Sequence, residues 1–363
     1  MYPKDLIFKI GLTMVDGIGD VLAKHLVNHC GSAEAVFKEN KRFLEKIHGL
    51  GKIKSALLNT KEWMKRAEEE LKFIEKNKLD VYFFTDTDYP FRLHHCHDSP
   101  VLLYYDGNTK LNSDKIIGVI GTRSPSENGK RFTQTFIEDL QHEDIVVVSG
   151  LAYGIDGLVH EACINAGVKT IGVLGHGLDR IYPYQNAHLA KRMKNQGGIL
   201  TEFSSKTNPD RENFPKRNRI VAGMCDAIIV IESKTEGGSM ITASIANSYN
   251  KDVFAVPGKP GDEKSTGCNF LIKSNKAGLI ENFSDLIHHM NWEPRKNNKK
   301  NNQFSLPINL SDDEKCIINV LNKNGKTHIN QLVSICSMPV SKISALLMDL
   351  ELDNHVISHP GKF

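Results

Sequence analysis

A group of positively charged side chains around one aromatic residue is the most distinctive chemical feature of the sequence. Arg211, Lys216, Arg217 and Arg219 lie close together along the chain, with Phe214 between them. Guanidinium and ammonium groups bind phosphates, and an aromatic ring can stack on a nucleobase. The group is therefore suited to an anionic polymer that carries rings.

The residues around and after this group are predicted to present it at the edge of a sheet. Pro215 disfavours a helical conformation for the residue before it, so we expect Phe214 to lie outside a helix. Residues 227–231 are apolar, rich in β-branched side chains and too short for a helix, which is typical of a buried parallel strand. A helix is expected to begin near Ser239 after the glycine pair that ends at Gly238. Its free N–H groups would then face the same edge as the basic group.

The central part of the chain, 115–258, alternates strand and helix patterns, which predicts a doubly wound, Rossmann-like parallel sheet. The predicted strands are 116–121, 145–150, 170–175, 198–203, 227–233 and 253–258. Four of them end on a glycine, namely Gly121, Gly150, Gly175 and Gly258. Ligands of open α/β sheets bind outside the carboxyl ends of the strands, where glycine allows the backbone to approach a phosphate. We therefore expect an anion site there.

The loops after these strands add polar residues to the expected site. Thr122 and Arg123 follow the first strand, and a guanidinium at this place could bind an anion with a fixed set of donors. Ser149 ends the second strand, Gly154 precedes the next helix, and Gly177 follows the third strand. The loops together predict a cleft.

The sequence contains few arrangements that indicate catalysis or metal binding. The first strand is not followed by the dinucleotide fingerprint, and no phosphate-binding lysine motif is present. Asp156 and His160 share a helix face, but such a pair is commonly only a stabilising contact. The segment 94–97, HHCH, contains consecutive residues whose side chains diverge, which favours a structural loop over a metal site. We expect no catalytic residue, no metal and no cofactor.

Smaller domains are predicted on both sides of the sheet. Residues 1–70 are expected to be helical, with two glycine turns like those of helix-hairpin-helix motifs, which leave phosphate binding there open. The expected sheet domain covers 71–290, and the polar, basic segment 291–304 is predicted to be a linker. Residues 305–363 predict a winged helix, with a capping box at its first helix and a short strand pair near its end.

Composition points to a protein with a local binding surface. The chain of 363 residues carries a formal net charge of only +3, so affinity for nucleic acid would have to come from local clusters. The seven cysteines are scattered and odd in number, which argues against a disulfide framework. No segment has the length and hydropathy of a signal peptide or a membrane span. We expect a cytoplasmic protein with no membrane partner.

Several segments, in order, resemble the bacterial DNA-processing protein A (DprA/Smf) family. They are GTRSPSENG, SGLAYGIDGLVHEA, GLDRIYPYQNAHL, FPKRNRIVAG, EGGSMITASIA and VFAVPG. The resemblance spans roughly 80–280 and implies a homodimer that binds single-stranded DNA, protects incoming DNA in natural transformation and loads the recombinase RecA. It also implies a sterile-α-motif-like domain before the sheet. By motif matching, Arg123, Phe214, Arg217 and Arg219 would contact DNA, and the glycine loops would hold phosphates.

These observations lead to one site and two functional hypotheses. The predicted DNA-binding residues are Gly121, Thr122, Arg123, Ser149, Gly150, Gly154, Gly175, Gly177, Arg211, Phe214, Lys216, Arg217, Asn218, Arg219, Gly238 and Ser239. The preferred hypothesis is a single-stranded DNA binding protein with no chemical step. The alternative is a nucleotide-processing enzyme, a phosphoribohydrolase of the lysine-decarboxylase-like type, in which the turn before Ser239 would hold a phosphate and Glu232 would act as an acid or base.

Overall fold

The computed structural model describes residues 3, 5–58, 60, 62–292, 311–325, 327–352 and 356. The chain divides into two compact units, Met1–Arg295 and Lys296–Phe363. The predicted linker 291–304 lies almost wholly outside the described residues.

A sheet of nine strands forms the centre of the first unit. The strands are β1 (Asp80–Phe83), β2 (Leu102–Gly107), β3 (Lys115–Ile120), β4 (Ile145–Ser149), β5 (Thr170–Val173), β6 (Gly197–Thr201), β7 (Ala227–Val230), β8 (Asp252–Ala255) and β9 (Gly278–Leu279). Their order is β1-β2-β6-β5-β4-β3-β7-β8-β9. The pairs β1–β2 and β2–β6 are antiparallel, and the remaining pairs are parallel. All six strands predicted for the central region are present, each ending before the residue expected.

Helices cover both faces of this sheet, as the doubly wound prediction requires. They are α7 (Phe91–His94), α8 (Glu127–Asp139), α9 (Ile155–Ala166), α10 (Ala187–Met193), α11 (Asn213–Met224), α12 (Gly238–Ser248), α13 (Thr266–Lys273) and α14 (Phe283–His289). Strand β3 shows why two layers form, since its side chains alternate. Ile116 and Ile120 belong to the core that includes residues of α11 and α12, whereas Ile117 and Val119 belong to the core that includes residues of α8 and α9.

The order of the strands creates a crevice at β3. The chain proceeds from β3 outward through β4, β5 and β6, and then returns to place β7 on the other side of β3. The loops after β3 and β7 therefore leave the sheet in opposite directions. In open α/β sheets a ligand site forms at such a switch point.

In the described part of the chain, six helices precede the sheet within the same unit. They are α1 (Leu6–Leu12), α2 (Asp20–Cys30), α3 (Ala33–Lys38), α4 (Lys41–Leu44), α5 (Gly51–Leu58) and α6 (Glu62–Asn77). The boundary expected at residue 70 falls inside α6. That helix contains no proline or glycine, and its buried residues Trp63, Ala67, Glu70 and Ile74 follow helical spacing across the expected boundary.

The second unit consists of three helices in its described part. They are α15 (Asp312–Asn324), α16 (Ile329–Cys336) and α17 (Val340–Leu352). The predicted capping box is present, since the Ser311 side chain accepts from Glu314 N and the Glu314 carboxylate accepts from Ser311 N. The strand pair expected near the end lies outside the described residues.

Within the residues that the structure describes, no single helix is long and apolar enough to cross a membrane. The bent pair Ile329–Cys336 and Val340–Glu351 meets the length and composition criteria only when its two helices are combined.

Candidate nucleic-acid interface

A cavity of about 690 Å³ opens at the switch point, where the sequence predicted a cleft. The predicted site residues that line it are Gly121, Thr122, Arg123, Gly150, Arg211, Phe214, Arg217, Asn218, Gly238 and Ser239. The predicted residues that do not line it are Ser149, Gly154, Gly175, Gly177, Lys216 and Arg219. The loops after β3, β4 and β7 and the first turns of α11 and α12 thus build one concave surface.

The prediction that Phe214 lies outside a helix was wrong. Helix α11 begins at Asn213, so Phe214 and Pro215 occupy its first turn. Proline is tolerated there because the first N–H groups of a helix have no partner within the helix. The helical conformation directs Phe214, Asn218 and Val221 to the cavity, since residues three and four apart share a face.

Arg217, which lines the cavity, is buried against the sheet. Its exposed fraction is 5%, and its guanidinium donates to the backbone carbonyls of Gly150 and Val173. The buried Asp156 lies close enough for its charge to act on Arg217, and it accepts a 3.2 Å bond from Gly150 N. Burial raises the pKa of Asp156, and the Arg217 charge opposes that rise. Arg217 therefore braces the ends of β4 and β5 beneath the cavity.

Arg219 lies on another face of α11 and does not line the cavity. Its guanidinium contacts the carboxylates of Asp20, at 3.0 Å, and Glu202, and donates to the Asp98 carbonyl. Burial raises the pKa of Glu202 to about 7, and the nearby Arg219 opposes this effect. Arg219 thus connects α2 to the sheet.

Arg123 and Phe214 form the centre of the surface that remains open. Arg123 is exposed, and its guanidinium carbon lies 5.8 Å from the centroid of the Phe214 ring, within the range of a cation–π contact. Thr122 holds the loop, since its carbonyl accepts from Ile155 N at 3.1 Å and its hydroxyl accepts from Ser124 N at 3.3 Å. A cation over a ring at the mouth of a cavity can bind a phosphate while the ring stacks on a base.

Three further cations belong to the cavity lining or to the first turns of α11. Arg211 lines the cavity and is exposed, and Lys216 is exposed on the first turns of α11. Lys234, which the sequence analysis did not single out, also lines the cavity and pairs with Glu263 at 2.6 Å. Its place in the loop after β7 is the signal that could have identified it.

Helix α12 adds a polar helix terminus to the opposite wall of the cavity. Gly237 is its N-cap and makes no side-chain cap hydrogen bond, and Gly238, Ser239 and Thr242 line the cavity. The Ser239 hydroxyl donates to Ser233 Oγ at 2.7 Å. A helix N-terminus with uncapped N–H groups favours anions.

The glycines at the strand ends are required by packing within the protein. A Cβ atom at Gly150 would lie 2.6 Å from the guanidinium carbon of Arg217. Gly154 has a φ of +77°, and a Cβ there would overlap the carbonyl oxygen of Thr122. Gly238, in contrast, has no atom within 4 Å of a Cβ position, so it leaves open space beside the cavity. Of these three glycines, Gly238 is therefore the one with space beside it for the phosphate that the glycine loops are expected to hold.

The residues considered for catalysis have structural partners. The Glu232 carboxylate accepts from Ser126 N at 2.9 Å and from the Ser126 hydroxyl at the start of α8, and it does not line the cavity. His160 is fully buried and shares a 2.7 Å hydrogen bond with Thr170 Oγ1 instead of contacting Asp156. Burial lowers the pKa of His160 to about 3, so the imidazole stays neutral near pH 7.

The side chains of the segment 94–97 lie in different environments. Cys96 is buried, whereas His95 and His97 are exposed. Across the described part of the chain, no group of three or more histidine, cysteine or acidic side chains is arranged to hold a metal ion.

Comparison with known proteins gives the family. The family model described as DNA recombination-mediator protein A matches residues 80–291. The chain belongs to this family. The model of the DprA winged helix domain matches residues 305–362, which agrees with the three helices of the second unit.

Individual relatives extend the match over most of the chain. Protein Smf of Synechocystis is 30% identical over 386 residues, covering 96% of each chain. DNA processing protein DprA of Streptococcus pneumoniae is 39% identical over 213 residues, covering 59% of this chain and 75% of the relative. The X-ray structure of the S. pneumoniae protein has a TM-score of 0.64 at 31% identity and covers 79% of this chain and 98% of its own. The family resemblance and the fold expected from the sequence are thereby confirmed.

A second solved structure concerns ligand binding. It describes the single-stranded DNA binding mode of DNA processing protein A from Helicobacter pylori. Its TM-score is 0.53 at 31% identity, and the match covers 59% of this chain and 97% of that one.

Proposed function

We propose that the protein binds single-stranded DNA at the cavity beside β3 and β7. The observation that carries the proposal is the pairing of exposed Arg123 with the Phe214 ring at the mouth of the cavity. Arg211 and the N-terminus of α12 add positive potential on both walls. A single strand offers phosphates and free base faces together, whereas the bases of a duplex are stacked on each other.

The biological role follows from family membership and from the relative that binds single-stranded DNA. We infer that the protein protects incoming DNA in natural transformation and loads RecA onto it, as a homodimer in the cytoplasm. The description of the family as recombination mediators supports this role. No chemical step, metal or cofactor enters the proposal. Sedimentation would test the dimer, and faster onset of RecA ATP hydrolysis on a strand coated with single-strand-binding protein would test loading.

The DNA site can be tested by the salt dependence of binding. Fluorescence anisotropy of a labelled single strand would be measured between about 50 and 200 mM salt with the wild type, Arg123→Ala and Phe214→Leu. Loss of one phosphate contact is expected to lower the slope of log affinity against log salt by about 0.7 in Arg123→Ala. Phe214→Leu is expected to weaken binding at every salt concentration without changing the slope, because stacking releases no counterion.

The matched control for the aromatic change is Phe91→Leu. Phe91 is an exposed phenylalanine on α7, and its backbone N donates to Asn112, which lines a different cavity. Equal binding by all three variants and the wild type would exclude this site. If the wild type does not bind but releases a base from nucleoside monophosphates, the enzyme alternative would replace the proposal.

A further inference from the structure

Three exposed tyrosines lie on adjoining loops beside the cavity. Tyr182 is 45% exposed, Tyr184 is 83% exposed and Tyr153 is 42% exposed. Every other tyrosine in the described residues is buried or half-buried. Single exposed apolar groups are common on surfaces, but the clustering of every exposed tyrosine of the described residues in one place indicates a binding surface.

The tyrosines adjoin the candidate interface through Phe214. A narrow recess on one side of the Phe214 ring is lined by Tyr153, Tyr182, Gly175 and Pro183. Arg123, Gly150, Phe214 and Arg217 line both this recess and the main cavity. The two depressions are therefore neighbours at the same sheet edge.

Hydrogen bonds hold the turn that carries these rings. The backbone N of Tyr182 donates to His176 Nε2 at 3.2 Å. The Asn186 side-chain amide donates to the carbonyls of Leu151, at 3.0 Å, and Ala152, at 3.2 Å. Tyr153 donates from its hydroxyl to Gln185 Oε1 at 2.8 Å. The backbone of the turn and the Tyr153 ring are thus held in place before any ligand arrives, which reduces the entropy lost on binding.

The spacing of the rings determines where a base could lie. The centroids of Tyr182 and Phe214 are 6.0 Å apart with an interplanar angle of 40°. Rings at this separation contact each other directly, which leaves no room for a base between them. A base can stack only on the open sides, and the exposed part of Tyr182 and nearly all of Tyr184 are available for that contact.

We propose that the single strand leaves the main cavity over this tyrosine turn and that Tyr182 and Tyr184 stack on the nucleobases next to the one on Phe214. The inference rests on the proposed DNA-binding function and adds a second base-binding subsite and the direction of the strand. Tyrosine suits this task because its ring stacks on any base while its hydroxyl stays in water. The subsite is therefore expected to tolerate all four bases.

Oligonucleotide length separates the subsite from the main cavity. Anisotropy titrations would use labelled oligothymidylates of about 5 and about 15 nucleotides, a range that spans known single-strand sites. The double variant Tyr182→Leu/Tyr184→Leu is expected to weaken binding of the long oligomer about 5- to 50-fold, as expected for lost stacking. The short oligomer is expected to lose less, because it can bind in the main cavity with fewer of its bases over the tyrosine turn. Tyr182→Phe/Tyr184→Phe keeps both rings and is expected to stay within about twofold of the wild type on both oligomers.

Photochemical cross-linking supplies a second readout that does not depend on affinity. A single 5-iodouracil would be moved along the long oligomer, and the cross-linked peptides would be identified by mass spectrometry. Cross-links to Tyr182 or Tyr184 are expected from positions adjacent to the one that cross-links to Phe214.

The possible outcomes distinguish this subsite from the function itself. If Arg123→Ala weakens binding of both oligomers while the double leucine variant matches Phe91→Leu, the cavity binds DNA and the tyrosine subsite is refuted. Cross-links that reach Phe214 but never the tyrosine turn would also overturn it. If the wild type binds neither oligomer, the proposed function fails and the subsite fails with it.

Discussion

Replacing Arg217 with alanine is expected to destabilise the fold rather than to remove a DNA contact. The side chain is buried and satisfies the carbonyls of Gly150 and Val173. Its loss would leave these acceptors unpaired and Asp156 buried without the nearby cation. Leaving a buried acceptor without its charged donor costs about 1.5–3 kcal/mol. That is a large part of the roughly 5–15 kcal/mol by which domains are stable.

Urea unfolding followed by tryptophan fluorescence is the suitable assay. Both tryptophans, Trp63 and Trp292, belong to the unit Met1–Arg295, so the signal reports on the unit that contains Arg217. The matched control is Arg211→Ala, which removes the same side chain from an exposed position and is expected to change stability by no more than about 0.5 kcal/mol.

The loss of stability in Arg217→Ala is expected to depend on pH through the carboxyl group of Asp156. In Arg217→Ala the pKa of Asp156 should rise further, because burial raises it and Arg217 lowers it. A carboxyl group with a raised pKa in the folded state loses stabilisation as the pH rises through that pKa. The deficit of Arg217→Ala should therefore be larger at about pH 8 than at about pH 5. The double variant Arg217→Ala/Asp156→Asn should recover part of it. An Arg217→Ala protein as stable as Arg211→Ala at both pH values would refute this reasoning.

Four further substitutions test other parts of the structure. Burial raises the pKa of Glu202 from 4.5 to about 7 in the folded protein. The protonated Glu202 therefore stabilises the fold fully below pH 4.5, and this stabilisation, up to about 3 kcal/mol, is lost as the pH rises through 7. Glu202→Gln should make the stability measured by thermal unfolding less dependent on pH over this range. Gly150→Ala should destabilise by about 1–3 kcal/mol through overlap, whereas Gly238→Ala, which meets open space, should not; urea midpoints compare them, and equal midpoints would contradict the packing argument. Glu232→Ala should lower the free energy of unfolding by about 1–3 kcal/mol, because Ser126 loses its acceptor. The affinity for single strands measured by anisotropy should not change, and a loss of affinity without a loss of stability would contradict a purely structural role for Glu232.

The architecture could be predicted because the strand sequences are apolar at consecutive positions, as strands buried on both faces of a sheet must be. Strand β3 is apolar at consecutive positions, and Ile116 and Ile117 enter different cores. Such continuous apolar runs, separated by helical segments, are typical of parallel strands covered on two faces. The strand order could not be predicted from them, since nothing in the run 227–231 indicates that β7 returns to pair with β3.

The position of the site at the sheet edge could be predicted from the sequence, but the contacts made by each of its predicted residues could not. Arg123, Phe214 and Arg211 line the predicted cleft, whereas Arg219 pairs with carboxylates that lie far from it in the sequence, at Asp20 and Glu202. Local sequence contains no information on such long-range pairs. Because Pro215 disfavours a helix at Phe214, the prediction for this segment does not use the helical spacing of α11. That spacing would have assigned Arg219 to a different helix face from Phe214.

The positions of Gly150 and Arg217 explain why a motif can be specific without each of its residues touching the ligand. The absence of a side chain at Gly150 makes room for the Arg217 guanidinium, so two segments that are distant in sequence form one packed unit beneath the cavity. Substitution of either residue is expected to weaken the proposed DNA binding by moving the loops after β4 and β5. Loss of binding in such variants therefore does not identify a contact. The informative substitutions are those at exposed residues, above all Arg123, where folding and binding can be measured separately.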